Sequence, residues 1–241
     1  MERISQVAWL CSMSLIVAGC GTTAKFVYPS NPQNLVRLAE TPKYDRSVAV
    51  LPFEEARPDK NSIGGLFLYL IPLMPFGTFT YERPDAARLF VSINDFKFDV
   101  AEDLAKAAVT SLQRANLFRR AFFSYGGDVT TAQLVLNGTV KSTLYRGRIF
   151  SYGLSVYGPG LAFLGLPIGS STNILHVALR MTRPDQPMPL WTYEFNKEAM
   201  IVQGLYYRMG YDIKAYTTLM EEGMNEAIRD LDQKLPTIIA Q

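Results

Sequence analysis

The side chains with the greatest chemical reactivity are few in this sequence and lie far apart. There is one histidine, His176, and there are two cysteines, Cys11 and Cys20. His176 has no paired nucleophile motif, so a surface or packing role is favoured over general-base catalysis. The sequence contains no nucleophile elbow, phosphate-binding loop, dinucleotide fingerprint or zinc-ligand spacing. We therefore expect no catalytic residues, no metal site and no cofactor.

Two groups of carboxylates need a separate interpretation. Glu54, Glu55 and Asp59 follow a predicted strand, and carboxylate oxygens are ligands that Ca²⁺ and Mg²⁺ prefer. A solvated loop explains the same spacing, and we favour that interpretation. Asp99 and Glu102 stand at capping-box spacing ahead of a predicted helix, which indicates helix capping rather than acid–base catalysis.

Cys20 is the residue whose surroundings indicate a definite modification. A short polar start containing Arg3 precedes an apolar run over residues 7–17, and the small residues Ala18 and Gly19 stand directly before the cysteine. This is the order of an export signal, and the apolar run is too short to remain as a membrane span. The sequence therefore predicts a signal peptide over residues 1–19.

The segment Leu15-Ile16-Val17-Ala18-Gly19-Cys20 resembles the lipobox of bacterial lipoproteins. The resemblance implies diacylglycerol on Cys20, removal of the signal peptide and acylation of the new amino terminus by a fatty acid such as palmitate. One acyl chain anchors only marginally at about 0.8 kcal/mol per CH₂, so several chains on one residue hold firmly. Gly21 stands where an aspartate would favour the inner membrane, so we expect the outer membrane, facing the periplasm. The alternative is a secreted protein with a chance cysteine.

The composition of residues 20–241 predicts one globular domain. The chain has 48% hydrophobic residues and a net charge of +2, which gives enough apolar surface for a core and no strong attraction to nucleic acid. Proline-rich residues 20–45 read as a lipidated tether. Alternatively, part of this segment packs on the domain through Phe26, Val27 and Leu38. Residues 46–241 are predicted to form the periplasmic domain.

Hydrophobic periodicity predicts an α+β domain of two layers. The sheet is expected to be mixed or mostly antiparallel, with about five strands, and two main helices pack against it. The predicted strands cover residues 47–53, 117–125, 133–145, 174–182 and 190–198, and the predicted helices cover residues 99–116 and 213–234.

Two of these segments resemble a known type of envelope domain. Val48-Ala49-Val50-Leu51-Pro52-Phe53, then a helix, then Leu134-Val135-Leu136-Asn137-Gly138-Thr139-Val140 is similar to the periplasmic α/β accessory domains of envelope proteins. Examples are the amino-terminal domain of the Tol-system β-propeller protein and the curli-secretion channel lipoprotein. The resemblance implies protein–protein work at the envelope without catalysis, and it carries over no binding residue.

Two long apolar inserts interrupt the predicted domain, at residues 61–81 and 149–172. Neither insert contains a charged side chain. Large exposed apolar patches usually mark protein interfaces or membrane contacts. We therefore take four large apolar side chains as interaction candidates: Phe67, Leu70, Leu161 and Phe163.

Three interpretations of the inserts stay open. They pack together and bind an envelope partner or a second copy of the chain, they dip into the bilayer beside the anchor, or they complete the core as buried loops. We favour the first, because apolar patches of this kind are expected to be covered. Pro72, Pro75, Pro159 and Pro167 interrupt both inserts as helical spans, which argues against a membrane-spanning pore. The sequence thus predicts a non-enzymatic, lipid-anchored interaction or assembly factor. The alternative is a subunit of an outer-membrane secretion pore.

Overall fold

The computed structural model describes residues 23–87, 90–91 and 95–239. In this part of the chain there are eleven strands and two α-helices. In chain order they are β1 (Thr23–Lys25), β2 (Tyr44–Val50), β3 (Glu54–Glu55), β4 (Asn61–Gly65), β5 (Phe76–Tyr81), β6 (Asp95–Lys97), α1 (Val100–Ala115), β7 (Phe118–Phe123), β8 (Leu134–Ser142), β9 (Tyr145–Phe150), β10 (Pro167–Arg183), β11 (Gln186–Gly204) and α2 (Tyr211–Ile239).

Nine of the strands form one mixed sheet with β10 near its centre. Its main path runs β4-β5-β9-β10-β8-β2-β7, while β11 also pairs with β10 and β3 pairs with β8. The pairs of β2 with β7 and with β8 are parallel, and the hairpins are antiparallel. The α+β class and the mixed sheet are confirmed. The predicted number of about five strands is wrong, because residues read as apolar inserts supply β4, β5 and part of β9 to the sheet.

The hairpin of β10 and β11 determines the long axis of the molecule. Its pairing runs from Arg183 opposite Gln186 to Pro167 opposite Gly204. The 17 residues of β10 span roughly 55 Å at the usual rise of a strand. β8 pairs with the second half of β10 and β9 pairs with its first half. The hairpin therefore has a turn end, at residues 183–186, and an opposite end to which the inserts are attached.

Helices α1 and α2 cover one face of the sheet and enclose the core. Leu104, Leu112 and Tyr216 are almost completely buried between the layers. Asp99 caps α1, since its carboxylate accepts a hydrogen bond from the backbone N–H of Glu102 at 3.1 Å. The helix-capping prediction is therefore confirmed for Asp99, whereas the reciprocal hydrogen bond comes from Asp103, whose Oδ2 accepts from the Asp99 N–H at 2.9 Å. The burial of apolar side chains at helical spacing explains the two-layer packing.

The segment at residues 23–43, here called the amino-terminal strap, packs on the domain. Strand β1 pairs with β6, and the Phe26 ring stacks on the Phe98 ring at a centroid distance of 4.8 Å. The tether predicted over residues 20–45 is therefore wrong for the strap, because its apolar residues are covered by the domain. The alternative packing through Phe26 and Leu38 is observed, whereas the Val27 side chain is exposed.

The amino-terminal strap follows α2 along its length. Its hydrogen bonds reach successive turns of the helix: Val27 O with Thr217 Oγ1, Ser30 Oγ with Glu221 Oε1, Val36 N with Asn225 Oδ1 and Lys43 Nζ with Asp232 Oδ1. Because the residue numbers rise together, the strap begins beside the first turn of α2.

Candidate interaction surface

Both apolar inserts lie at the end of the long hairpin opposite its turn. The first insert is the β4–β5 hairpin, which contains the 3-10 turn Leu66–Leu70. The second insert is the connection between β9 and β10, which contains the 3-10 turns of Ser155–Leu164. Pairing of Phe76 with Phe150 places the two connections side by side.

Hydrogen bonds between the inserts join them into one unit. The backbone N–H of Leu73 donates to the carbonyl of Gly153 at 2.8 Å. The backbone N–H groups of Ser151 and Tyr152 both donate to the carbonyl of Pro75, at 2.9 and 3.0 Å. The two inserts therefore form a single structural unit, and a change in one is expected to disturb the other.

A third segment, the connection from β11 to α2, completes this surface. The Tyr206 hydroxyl donates to the carbonyl of Phe163 at 3.2 Å. Gly204 and Tyr207 exchange two backbone hydrogen bonds, at 3.0 and 3.3 Å. We call the surface formed by residues 66–75, 151–166 and 200–211 the apolar end. Sequence reasoning missed its third segment, although the aromatic run Tyr206-Tyr207 and the single charge of Arg208 were a usable signal.

Three of the four predicted interaction residues are exposed at the apolar end. Phe67, Leu70 and Phe163 are 57%, 45% and 69% exposed, while Leu161 is only partly exposed. Other large apolar side chains at this end are also exposed: Ile71, Leu73, Met74, Leu154, Val156, Tyr157, Leu164, Met200, Val202, Tyr206, Tyr207, Met209 and Tyr211. The interpretation of the inserts as ordinary buried loops is therefore wrong. Cys20 lies outside the described residues, and its lipidation stays a prediction.

The backbone of the apolar end is strained. In the described ranges, four of the five non-glycine residues with left-handed φ belong to it: Leu73 (69°), Tyr152 (54°), Ser155 (56°) and Arg208 (51°). This conformation costs about 1–2 kcal/mol for a residue with a Cβ atom. Leu73 is also 89% exposed, so its strain gains no burial in the monomer. Such strain often accompanies function.

Two glycines allow the close packing beneath the exposed side chains. A Cβ atom on Gly158 would lie 2.1 Å from the carbonyl oxygen of Ser151, and one on Gly77 would lie 2.3 Å from that of Leu66. Both neighbours are backbone atoms that cannot move aside cheaply. The path of both inserts therefore depends on glycine at these two positions.

Basic residues lie at the apolar end and at its border, where Glu198 is also exposed and Asp212 is buried. Arg208 is the only charged residue in its three segments. At the border, the Arg148 guanidinium lies 5.4 Å from the Phe76 ring centroid and the Lys214 ammonium lies 4.9 Å from that of Tyr211. Cations at these distances are attracted by aromatic rings. The surface thus combines exposed apolar groups with basic side chains beside aromatic rings.

A buried polar contact fixes the start of α2 below the apolar end. The Tyr145 hydroxyl donates to Oδ2 of the fully buried Asp212 at 2.8 Å. Burial raises the pKa of Tyr145 well above its usual value, and the nearby Asp212 carboxylate raises that pKa further. This contact joins β9 to α2 and so positions the third segment of the apolar end relative to the inserts.

The candidate reactive side chains lie on other parts of the molecule. Nε2 of His176 and Nζ of Lys141 lie 2.5 and 2.7 Å from Oε1 of Glu194 on the accessible face of the sheet. Lys141 and, to a smaller extent, His176 lower the pKa of Glu194. This arrangement is a surface ion cluster.

The carboxylates after β2 do not form one site. Glu55 binds the buried guanidinium of Arg57 at 2.5 Å, which Asp85 also contacts at 2.6 Å. Asp59 is exposed and lies 3.9 Å from Arg83. Within residues 23–87, 90–91 and 95–239, no group of three or more potential metal-ligating side chains comes together. The arrangement of Glu55 is that of a structural ion pair.

Comparison with known proteins gives information on the fold. No protein-family model and no curated protein matches this chain. A crystal structure of a Xanthomonas campestris protein of the family DUF330 matches 91% of this chain and 100% of its own, with 7% identity and a TM-score of 0.50. A PelC dodecamer from Paraburkholderia phytofirmans matches 80% of this chain and 89% of its own, with 10% identity and a TM-score of 0.35.

The similarity to the DUF330 protein extends to the fold alone, because the sequence identity is so low. The similarity to PelC is too weak to support an argument about this chain. None of the helices within the described ranges has the length and apolar character of a membrane span. The candidate site is accordingly assigned from the geometry of the apolar end and not from these similarities.

Proposed function

We propose that this chain is a lipid-anchored protein of the bacterial envelope that acts by binding, as a non-enzymatic interaction or assembly factor. Cys20 carries the anchor, and the apolar end is the binding surface. The observation that carries the proposal is the exposure of large apolar side chains from three separate segments at one end of the fold.

The physical argument is the cost of leaving such a surface in water. Covering apolar area returns about 25 cal/mol per Å², and soluble monomers rarely expose large contiguous apolar patches. The apolar end keeps Leu73 and Phe163 exposed and holds its backbone in left-handed conformations at several positions. A binding role explains both features, because a bound target would cover the side chains that the strained backbone presents.

The anchor is tested by fractionation and lipid labelling in a bacterium that processes lipoproteins. Cys20→Ala should abolish incorporation of labelled palmitate and move the protein from the outer-membrane fraction to the soluble fraction. Cys11→Ala, which changes the other cysteine within the predicted signal peptide, is the matched control and should behave as wild type. Wild-type protein without lipid would contradict the proposed anchor.

The binding surface is tested by photocrosslinking in intact cells from reactive groups at Phe67 and Phe163. We expect the reactive groups to capture a defined species. The double variant Phe67→Asp/Phe163→Asp should lose binding of that species while retaining the wild-type unfolding curve. Met188→Asp is the matched control, because Met188 is 75% exposed near the turn end of the long hairpin. An equal loss of binding in the control, or no specific capture from the apolar end, would contradict the proposal that the apolar end is the binding surface.

A further inference from the structure

The amino-terminal strap enters the domain at the apolar end. Lys25 and Val27 line one cleft together with Ile201, Tyr211 and Lys214. Ile201 and Tyr211 belong to the third segment of the apolar end. Because the strap then follows α2 away from this point, its first residues lie next to the exposed apolar surface.

The distance between this entry point and the predicted anchor is short. Cys20 precedes Thr23 by three residues, and three residues extend over at most about 10 Å. Strand β1 is fixed to β6 by a parallel pairing. A lipid on Cys20 would therefore hold β1, and the apolar end beside it, close to the bilayer.

The side chains at the apolar end have the chemistry of a membrane interface. Tyr157, Tyr206 and Tyr211 are exposed, and tyrosine is enriched where apolar and polar layers of a bilayer meet. Arg208 and Lys214 add positive charge at the same end, which complements the anionic headgroups of lipids. No acidic residue occurs within the three segments, and of the two acidic residues that flank the third, Asp212 is buried and Glu198 is exposed.

We infer that the target of the apolar end is the lipid surface that holds Cys20, and that the domain stands on this surface. The inference rests on the proposed function, because it requires the lipid anchor. Interfacial segments enter the headgroup region by about 5–10 Å, which suits short loops carrying Leu73 and Phe163. The turn end of the long hairpin then points away from the membrane, with the ion cluster of His176 on the aqueous part of the sheet.

Depth-dependent quenching of a fluorescent probe tests this orientation. The lipidated full chain is purified with Phe163→Cys or, as the matched control, Met188→Cys, and each new thiol receives an environment-sensitive fluorophore. The proteins are reconstituted into vesicles of phosphatidylethanolamine and phosphatidylglycerol with brominated acyl chains. We expect strong loss of emission at position 163 and none at position 188.

The possible failures of the two proposals are distinguishable. If the protein floats with the vesicles but the probe at position 163 is not quenched, the lipid target is wrong and the anchor stands. Capture of a second copy or another protein by a crosslinker at Phe163, in place of phospholipid, also overturns the lipid target. If wild-type Cys20 reacts with the thiol probe, it carries no lipid, and both proposals fail.

Discussion

The apolar end and the opposite half of the long hairpin expose different kinds of side chain to water. Strand β10 passes through both regions, and between its start at Pro167 and Leu179 it contains no aspartate, glutamate, lysine or arginine, while Arg180 and Arg183 follow. Away from the apolar end, accessible charged side chains form ion pairs such as that of Lys141 with Glu194. At the apolar end, large apolar side chains remain exposed to water in the monomer.

This difference separates what the fold requires from what a function requires. The half of the hairpin near its turn at residues 183–186 carries the exposed charges of an ordinary soluble surface, and β8, β10 and β11 contain no left-handed non-glycine residue in the described chain. The apolar end instead exposes large apolar side chains and has a strained backbone. Such a region has no explanation in the stability of the monomer, so the explanation has to come from what covers it.

The largest effect is expected from Gly158, since its substitution tests whether the apolar end is a defined structure. Gly158→Ala would place Cβ 2.1 Å from the carbonyl oxygen of Ser151, and we expect a loss of about 1–3 kcal/mol in the free energy of unfolding. Gly160→Ala is the matched control, because nothing lies within 4 Å of a Cβ atom there. Urea unfolding of both variants measures the effect. Equal stability of the two would show that these inserts have no fixed packing.

Leu73 tests whether strain at the apolar end is retained for binding. Leu73→Gly removes a side chain from a left-handed residue with φ of 69°, and we expect stability to increase by up to about 1 kcal/mol. Vesicle binding or capture of the target should weaken in the same variant. Leu154→Gly is the control at an exposed leucine with φ of −92°, where glycine should destabilise by roughly 0.5–1 kcal/mol. A destabilised Leu73→Gly protein would contradict the strain argument.

The Glu55–Arg57 contact lies away from the apolar end, and the pH dependence of stability tests it. Its hydrogen bond with Arg57 lowers the pKa of Glu55, so this carboxylate stabilises the fold above the ordinary pKa of glutamate and loses that effect as pH falls through the lowered value. Glu55→Gln should cost about 1 kcal/mol or less at neutral pH, because solvent screens a partly exposed pair. The difference from wild type should vanish on acidification. Glu54→Gln is the control, and an equal, pH-independent loss in both variants would reject the ion-pair explanation.

The smallest effect is expected at the ion cluster on the sheet. Lys141 is the main cause of the lowered pKa of Glu194, so Lys141→Met should raise that pKa toward its usual value. Carboxyl NMR titration measures the shift, and thermal unfolding should remain as in wild type because exposed ion pairs contribute little. A clear loss of stability would show that this face is less solvated than its geometry indicates.

Local patterns in the sequence predicted the elements that form the core. The alternation in β8, the helical spacing of Leu104 and Leu112, and the capping position of Asp99 each reflect an interaction between neighbours in the chain. The prediction failed where a segment's partner is distant in sequence. The amino-terminal strap was read as a tether because Ser30 and Val36 find their hydrogen-bond partners on α2, roughly 190 residues later.

By itself, the sequence determined the α+β class, the absence of charge in both inserts and the prediction of a lipid on Cys20, since these follow from composition and local spacing. Only the tertiary structure decided that the two inserts share hydrogen bonds, that Tyr206 and its neighbours join them and that the strap begins beside them. The physical reason is that exposure and proximity depend on long-range strand pairing. The register of β10 with β9 and β11 sets that pairing, and no local pattern encodes it.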